Sequence, residues 1–202
     1  MRVPENGLIG LNVPLDPLRL GALSTRTTHP FYMARMNELL GALGIPVELM
    51  NPFRHQTKGE MVAGCGDLAF LRTLNKHSMS CSSPAKARYK GLAPQHCGTC
   101  VPCLIRRASL AAGLGTADDT QYAVPSLIAH TLDTTAAEGE HVRSFQLVIE
   151  RLRVNPRAAS ALVRIPGPLN DAPNEVDDYV DVFVRGMQEV GSLLAPVKAK
   201  PI

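Results

Sequence analysis

The sequence predicts an α/β protein in which a parallel sheet carries a cysteine-rich region and a helical C-terminal extension. Three features predict it. Two apolar runs at residues 8–13 and 46–50 flank a helical pattern, four cysteines crowd into residues 81–103, and two long amphipathic stripes close the chain. A strand, crossover helix, strand unit is nearly always parallel and right-handed, with helices on the faces of its sheet.

The first run, Leu8-Ile9-Gly10-Leu11-Asn12-Val13, is bounded by Gly7 and Pro14 and fits a short strand buried on both faces. Phe31, Ala34, Leu39, Leu40 and Leu43 then recur at helix spacing; Thr28 is the expected N-cap, Pro30 sits in the first turn and Gly44 stops the helix. Pro46-Val47-Glu48-Leu49-Met50 reads as the second strand. Thr57-Lys58-Gly59-Glu60 has the form of a capping box, so a helix opens near Lys58, and a short helix is expected at residues 67–74. Residues 76–94 are rich in Ser, Pro, Lys and Gly without an apolar period, as in a loop. Past Cys103, the residues Leu104, Ile105, Ala108, Ala111 and Ala112 give a one-sided helix that Gly113 and Gly115 end. Residues 138–154 place Val142, Phe145, Ile149 and Leu152 on one stripe, and residues 174–194 repeat the pattern. The organisation expected is an α/β part at 1–75, a zinc-binding loop and helix at 76–115, a helical extension at 116–195 and a frayed tail at 196–202.

Composition removes several functional classes. The 202 residues include 45% hydrophobic side chains, enough for a real core, and no apolar run approaches the roughly 20 residues of a membrane helix. With no apolar signal-peptide core near the start, the expected location is cytoplasmic and no membrane partner is expected. A net charge of +3, no Trp and 4% aromatics argue against nucleic acid as a partner, which wants cationic excess and stacking rings.

The cysteines carry the strongest signal. Cys97-Gly98-Thr99-Cys100-Val101-Pro102-Cys103 spaces three thiols two residues apart, and Cys81 adds a fourth after a 15-residue loop. Without an export signal such clustering reads as metal ligation before disulfide bonding. A tight turn at Gly98-Thr99 lets Cys97 and Cys100 grip one ion, Cys103 joins from the first turn of the next helix, and Cys81 closes the cage. Four thiolates enclose a tetrahedral zinc and leave no position for substrate, so the site is structural. The rival is an iron–sulfur cluster, but that pattern continues Cys-x3-Cys-Pro and no later cysteine exists here. Zinc with four thiolates leaves two net negative charges, which Lys86, Arg88, Lys90, His96, Arg106 and Arg107 are placed to offset. His77 and His96 read as neighbours of the site, not ligands. Cys65 reads as a buried hydrophobe on a helix face.

The run His77-Ser78-Met79-Ser80-Cys81, followed by His96-Cys97-Gly98-Thr99-Cys100-Val101-Pro102-Cys103-Leu104-Ile105-Arg106-Arg107-Ala108, resembles the zinc-binding C-terminal region of the QueC family, the 7-cyano-7-deazaguanine synthases of queuosine biosynthesis. Glu5-Asn6-Gly7, Ser24-Thr25-Arg26-Thr27-Thr28-His29-Pro30 and Thr57-Lys58-Gly59-Glu60-Met61 look more like the divergent QueC-like proteins of phage-defence and DNA-modification operons. The similarity spans about residues 5–113. It implies a partial adenine-nucleotide hydrolase-like (Rossmann-like) sheet of the N-type ATP pyrophosphatases. It also implies a zinc ion and an enzyme that uses ATP and Mg2+ to adenylate a deazapurine carboxylate on the way to an amide or nitrile. That chemistry needs a Ser-Gly-Gly-x-Asp-Ser loop, which this sequence does not contain. The chain therefore reads as the C-terminal portion of such an enzyme, partnered by its N-terminal half or another subunit. The alternative is a catalytically inactive scaffold that docks a partner through the helices of residues 138–194.

Ligands of open α/β sheets bind beyond the carboxyl ends of strands. On the predicted topology this puts Arg19, Arg26, Thr27, Thr28 and His29 on one rim of a crevice and Lys58 and Glu60 on the other. A cationic, hydroxyl-rich rim suits a nucleotide or a carboxylated base.

Overall fold

The computed structural model describes residues 1–16, 26–115 and 118–202, so Arg19, Ser24 and Thr25 lie outside the described residues. Helices dominate. They are α1 (Gly7–Leu11), α2 (Pro30–Ala42), α3 (Lys58–Ala63), α4 (Leu68–Leu74), α5 (Val101–Leu114), α6 (Glu140–Val154), α7 (Ala158–Leu162) and α8 (Val176–Leu194). Two short strands, β1 (Leu132–Asp133) and β2 (Ala199–Lys200), form one parallel pair, Leu132 opposite Ala199 and Asp133 opposite Lys200. The chain divides into two compact units: Met1–Thr57 with Arg151–Gly186, and Lys58–Glu150 with Met187–Ile202.

In the first unit the expected strand at residues 8–13 is instead the helix α1. Asn6 decides this: its Oδ1 accepts from Ile9 N at 3.0 Å, capping the first turn. Asn12 then ends the helix in the left-handed region at φ 49, donating its amide to Ile9 O at 3.1 Å. Leu8 and Leu11 are buried. Gly7 is demanded by packing, because a Cβ there would lie 2.3 Å from Arg54 O and 2.8 Å from Val182 Cγ1.

The expected strand at residues 46–50 is extended but joins no sheet. A single parallel bridge links Arg2 and Met50, with Val3 N to Met50 O at 2.8 Å and Met50 N to Met1 O at 2.9 Å. Leu49 bonds to a side chain in place of a neighbouring strand: Asn37 accepts its N–H at 2.7 Å and donates to its carbonyl at 3.0 Å. The described residues therefore contain no Rossmann-like parallel sheet. The helix between the two runs does form, with Gly44 past its end at φ +67. Its cap is His29, not Thr28, since His29 Nδ1 accepts from Phe31 N at 3.2 Å. Met33 is buried, whereas Phe31, Leu39 and Leu43 of the expected apolar face are exposed.

In the second unit α3 and α5 pack closely. A Cβ on Gly113 would fall 2.5 Å from Val62 Cγ1 and 2.7 Å from Gly59 O. Val62, Leu110 and Leu114 form a core cluster there, with Leu71 of α4 against it. The α3 N-terminus receives Glu189, whose Oε2 accepts from Gly59 N at 3.2 Å. Cys65 follows the end of α3 and is half-buried, not sealed on a helix face as expected. Residues 196–202, expected to fray, are tied down: Val197 is buried, its carbonyl accepts from Gln146 Nε2 at 3.0 Å, and Leu132 N donates to Lys198 O at 2.9 Å.

The two long C-terminal helices arise where the stripes predict them. Val142, Phe145, Val148 and Leu152 of α6 are buried, as are Tyr179, Val182, Phe183, Met187, Val190 and Leu194 of α8.

Candidate metal centre

Gly98 makes the cysteine turn possible. Its φ of +93 is a conformation that L side chains rarely adopt, and a Cβ there would lie 2.7 Å from Val124 O and from Arg107 Nη2. The turn delivers Cys97 and Cys100 together, with Cys100 as N-cap residue of α5 and Pro102 in its first turn. Cys103, one turn into the helix, is fully buried.

Cys81 comes from the loop before it, and that loop is held by a buried arginine. Arg106 on α5 is 4% exposed. It donates from Nε to Thr120 Oγ1 at 3.1 Å, from Nη1 to Ser78 Oγ at 2.8 Å and Ser80 Oγ at 3.3 Å, and from Nη2 to Asn75 O. Buried His96 accepts the amide of Ser80 on Nε2 at 3.1 Å, which needs an unprotonated nitrogen. Burial and then the Arg106 charge hold its pKa below the ordinary histidine value.

The four sulfurs converge. Cys81 and Cys100 Sγ are 3.9 Å apart, Cys97 and Cys103 Sγ are 3.9 Å apart, and all four lie within 4.8 Å of one another. A tetrahedron with metal–sulfur bonds of about 2.3 Å has edges of about 3.8 Å, so the cluster needs only a small contraction to close on zinc. Backbone amides already point at the sulfurs: Cys97 N to Cys81 Sγ at 3.4 Å and Cys100 N to Cys97 Sγ at 3.3 Å. Further amides reach Cys81 from Ser83, Cys97 from Thr99 and Cys103 from Gly98. Such donors favour thiolate over thiol.

Without a cation the four thiols must share what little charge the pocket tolerates. Hydrogen bonds with Cys100 and Cys103 hold Cys97 far below the usual thiol range, those of Cys103 with Cys100 and Cys97 push Cys103 far above it, and burial pushes Cys81 up. A divalent ion removes this competition by balancing all four as thiolates. The donor set, all sulfur and enclosed, fits zinc and excludes hard-oxygen ions such as Mg2+. These four cysteines thus form a site able to hold a metal ion such as zinc.

No family model, curated protein or solved structure matches this chain. Among the described residues, no helix is long and apolar enough to cross a membrane.

Around the cage the roles of the cations separate. Arg107, next to Arg106, turns to the other side: its guanidinium carbon sits 3.6 Å over the Tyr122 ring and it donates to Val124 O and, at 3.1 Å, to Pro125 O. Tyr122 packs against the cysteines, its hydroxyl bonded to Asp118; burial, then that carboxylate, raises its pKa. Amides 123 and 124 donate to His96 O at 2.8 Å and Cys97 O at 3.1 Å. Lys86, Arg88 and Lys90 are exposed on a 3-10 turn at Pro84–Lys90. Neither Asn75 nor Tyr122 had a sequence signal, because both act through packing with residues distant in the chain.

The residues of the expected ligand rim are divided between the two units. Arg26, Thr27, Thr28 and His29 belong to the first unit and Lys58 and Glu60 to the second. Arg26 is half-buried and donates from Nη1 to Pro166 O at 2.7 Å. Thr27 is exposed and Thr28 half-buried. His29 is 2% exposed and serves as a helix cap, its pKa lowered to about 4 by burial and then by Arg26. It is neutral near pH 7 and offers no charge to an anion. Lys58 opens α3 and is half-buried; Glu60, in its first turn, is exposed.

Proposed function

We propose that this chain carries one structural zinc ion on Cys81, Cys97, Cys100 and Cys103, within a QueC-like protein of deazapurine metabolism or an allied phage-defence system. The observation that carries it is the convergence of four sulfurs within 4.8 Å, from the motif Ser-Cys, loop, Cys-Gly-x-Cys-x2-Cys, Arg-Arg. The zinc when bound supplies a cross-link between the Cys81 loop and α5 and no open coordination position. On this reading the chain is the C-terminal part of an ATP-dependent enzyme that converts a deazapurine carboxylate to an amide or nitrile through adenylation. The ATP-binding segment, with Mg2+, is supplied elsewhere, since the Ser-Gly-Gly-x-Asp-Ser loop is not in this sequence.

Zinc content measured on purified chain, together with ATP consumption in the presence of 7-carboxy-7-deazaguanine, tests both halves. One tightly held zinc and no ATP turnover by this chain alone are expected. Turnover by this chain alone refutes the assignment of the ATP site to another segment, and a zinc-free chain with full stability refutes the metal assignment.

One observation favours a second reading, a partner-docking subunit. Phe31, Tyr32 and Leu39 on α2, Leu43 at its C-cap, and Ile45 and Val47 after it are all exposed apolar side chains, the kind of surface that partners cover. A chain that stays monomeric beside every product of its own operon would count against it.

A further inference from the structure

The net charge of +3 conceals a segregation. Residues 68–117 hold seven of the 21 Lys and Arg and none of the 18 Asp and Glu, so the rest of the chain is net negative. Two of the seven, Arg106 and Arg107, lie against the cysteine region, where they match the two net negative charges of a four-thiolate zinc. The other five, Arg72, Lys76, Lys86, Arg88 and Lys90, are exposed, and none is paired with a carboxylate of the described residues. The acids that border the segment are engaged elsewhere: Asp67 caps α4 by accepting from Phe70 N at 2.8 Å, and Asp118 accepts from Tyr122 Oη and, at 2.9 Å, from Thr120 N.

The five cations fall in two neighbouring groups of the second unit. Arg72 and Lys76 are one turn apart where α4 runs into the 3-10 turn Asn75–His77, and the other three share the 3-10 turn Pro84–Lys90. Lys76 also lines a pocket of about 320 Å³ whose wall includes Pro94, Gln95, His96, Asp119 and Gln121. Pro94 is four residues past Lys90, a reach of at most about 14 Å, or about four steps of a nucleic-acid strand.

A donor is open on that wall. His96 is 3% exposed and its Nε2 accepts from Ser80 N at 3.1 Å, so the ring proton is on Nδ1, for which the described residues offer no acceptor. Asp119, exposed, is the one carboxylate of the wall, and Lys76 offsets it. The pocket is therefore electrically even and rich in donors at the edge of a cationic surface, which suits phosphodiester oxygens.

Two features favour nucleic acid over a lipid surface. With seven residues α4 makes two turns, well short of the roughly 20–30 residues of many interfacial helices. Tyr89 is 76% exposed, with the Arg88 guanidinium carbon 5.1 Å from its ring centroid and Nη2 donating to its Oη at 3.2 Å, so a flat ring is held among the cations. Unpaired bases stack on such rings.

We propose that this acid-free surface binds single-stranded nucleic acid, with phosphates on the five free cations and a base on Tyr89. The proposal is independent of the deazapurine reading. Fluorescence anisotropy of the zinc-loaded full chain with a mixed-sequence strand of roughly 20 nucleotides tests it. Five phosphate contacts give a slope of log affinity against log salt of about −3.5, a loss of about 100-fold between roughly 50 and 200 mM salt. Lys86→Gln, Arg88→Gln and Lys90→Gln together should reduce the size of that slope by about 2. Tyr89→Ala should weaken the strand about 5–150-fold and leave the affinity of the corresponding duplex, whose bases are already stacked, unchanged. All four positions are exposed, so the melting temperature should stay at the wild-type value in both variants. No binding of the strand at roughly 50 mM salt overturns the proposal, as does binding that either variant leaves unchanged. Retention on phosphatidylserine vesicles without binding of the strand assigns the surface to lipid and overturns it as well.

Discussion

Replacing Arg106 by Met should uncouple the Cys81 loop from α5. The guanidinium makes four hydrogen bonds, and charge-assisted bonds contribute about 1.5–3 kcal/mol each when counted singly. That sum would approach the whole stability of a domain, about 5–15 kcal/mol, so exposure must decide which bonds matter. Ser78 is exposed and Ser80 half-buried, so their hydroxyls recover water, whereas Thr120 and Asn75 are buried and do not. Asn75 O keeps the Ser78 amide at 3.0 Å, so the one buried acceptor left short is Thr120 Oγ1, and the expected loss is about 1–3 kcal/mol, with the methionine stem retaining most of the packing. Because the same bonds position Cys81, zinc affinity should fall by about 10–100-fold, the effect of losing support behind a metal ligand. Competition against a chromogenic chelator reads the affinity, and thermal unfolding with and without chelator reads the stability. Arg106→Lys, which reaches fewer of the four acceptors, should lie between. Wild-type zinc affinity in Arg106→Met, even with lowered stability, would refute the claim that this arginine sets the cage.

Gly98→Ala should lower both stability and zinc affinity, by about 1–3 kcal/mol from backbone strain at φ +93 and more from the 2.7 Å approach to Val124 O; unfolding and chelator competition measure it. Cys65→Ser should leave zinc stoichiometry at its wild-type value, because Cys65 is outside the cluster, and elemental analysis checks this. His29 titrates at about 4 in the folded chain against an ordinary 6.5, so the unfolded state takes up its proton first on acidification. The stability held above pH 6.5 should decline between pH 6.5 and 4 by about 2–3 kcal/mol, and His29→Asn, a neutral cap, should flatten that part of the pH–stability curve.

Elements written by local chemistry were legible in the sequence. The helix from Pro30 ends where Gly44 supplies a positive φ, α5 starts where Pro102 and the cysteine turn require, and α6 and α8 follow their apolar stripes. The four-cysteine cluster was legible for the same reason, since three of the four lie within seven residues and thiols so close have few uses besides holding a metal. The strands at 8–13 and 46–50 were not. An apolar run of five or six residues is compatible with strand or helix, and the side chains of Asn6 and Asn37 supplied the bonds that a sheet neighbour would have made. The strand ends from which the ligand rim was placed are absent among the described residues.

By itself, then, the sequence determined where this chain turns, which stretches become its longer helices and which four sulfurs meet, because capping, periodicity and ligand spacing act over a few residues. Only the tertiary structure decided that Arg106 clamps the Cys81 loop while Arg107 covers Tyr122. Adjacent residues on a helix point about 100° apart, and which way each faces depends on packing that no local pattern encodes.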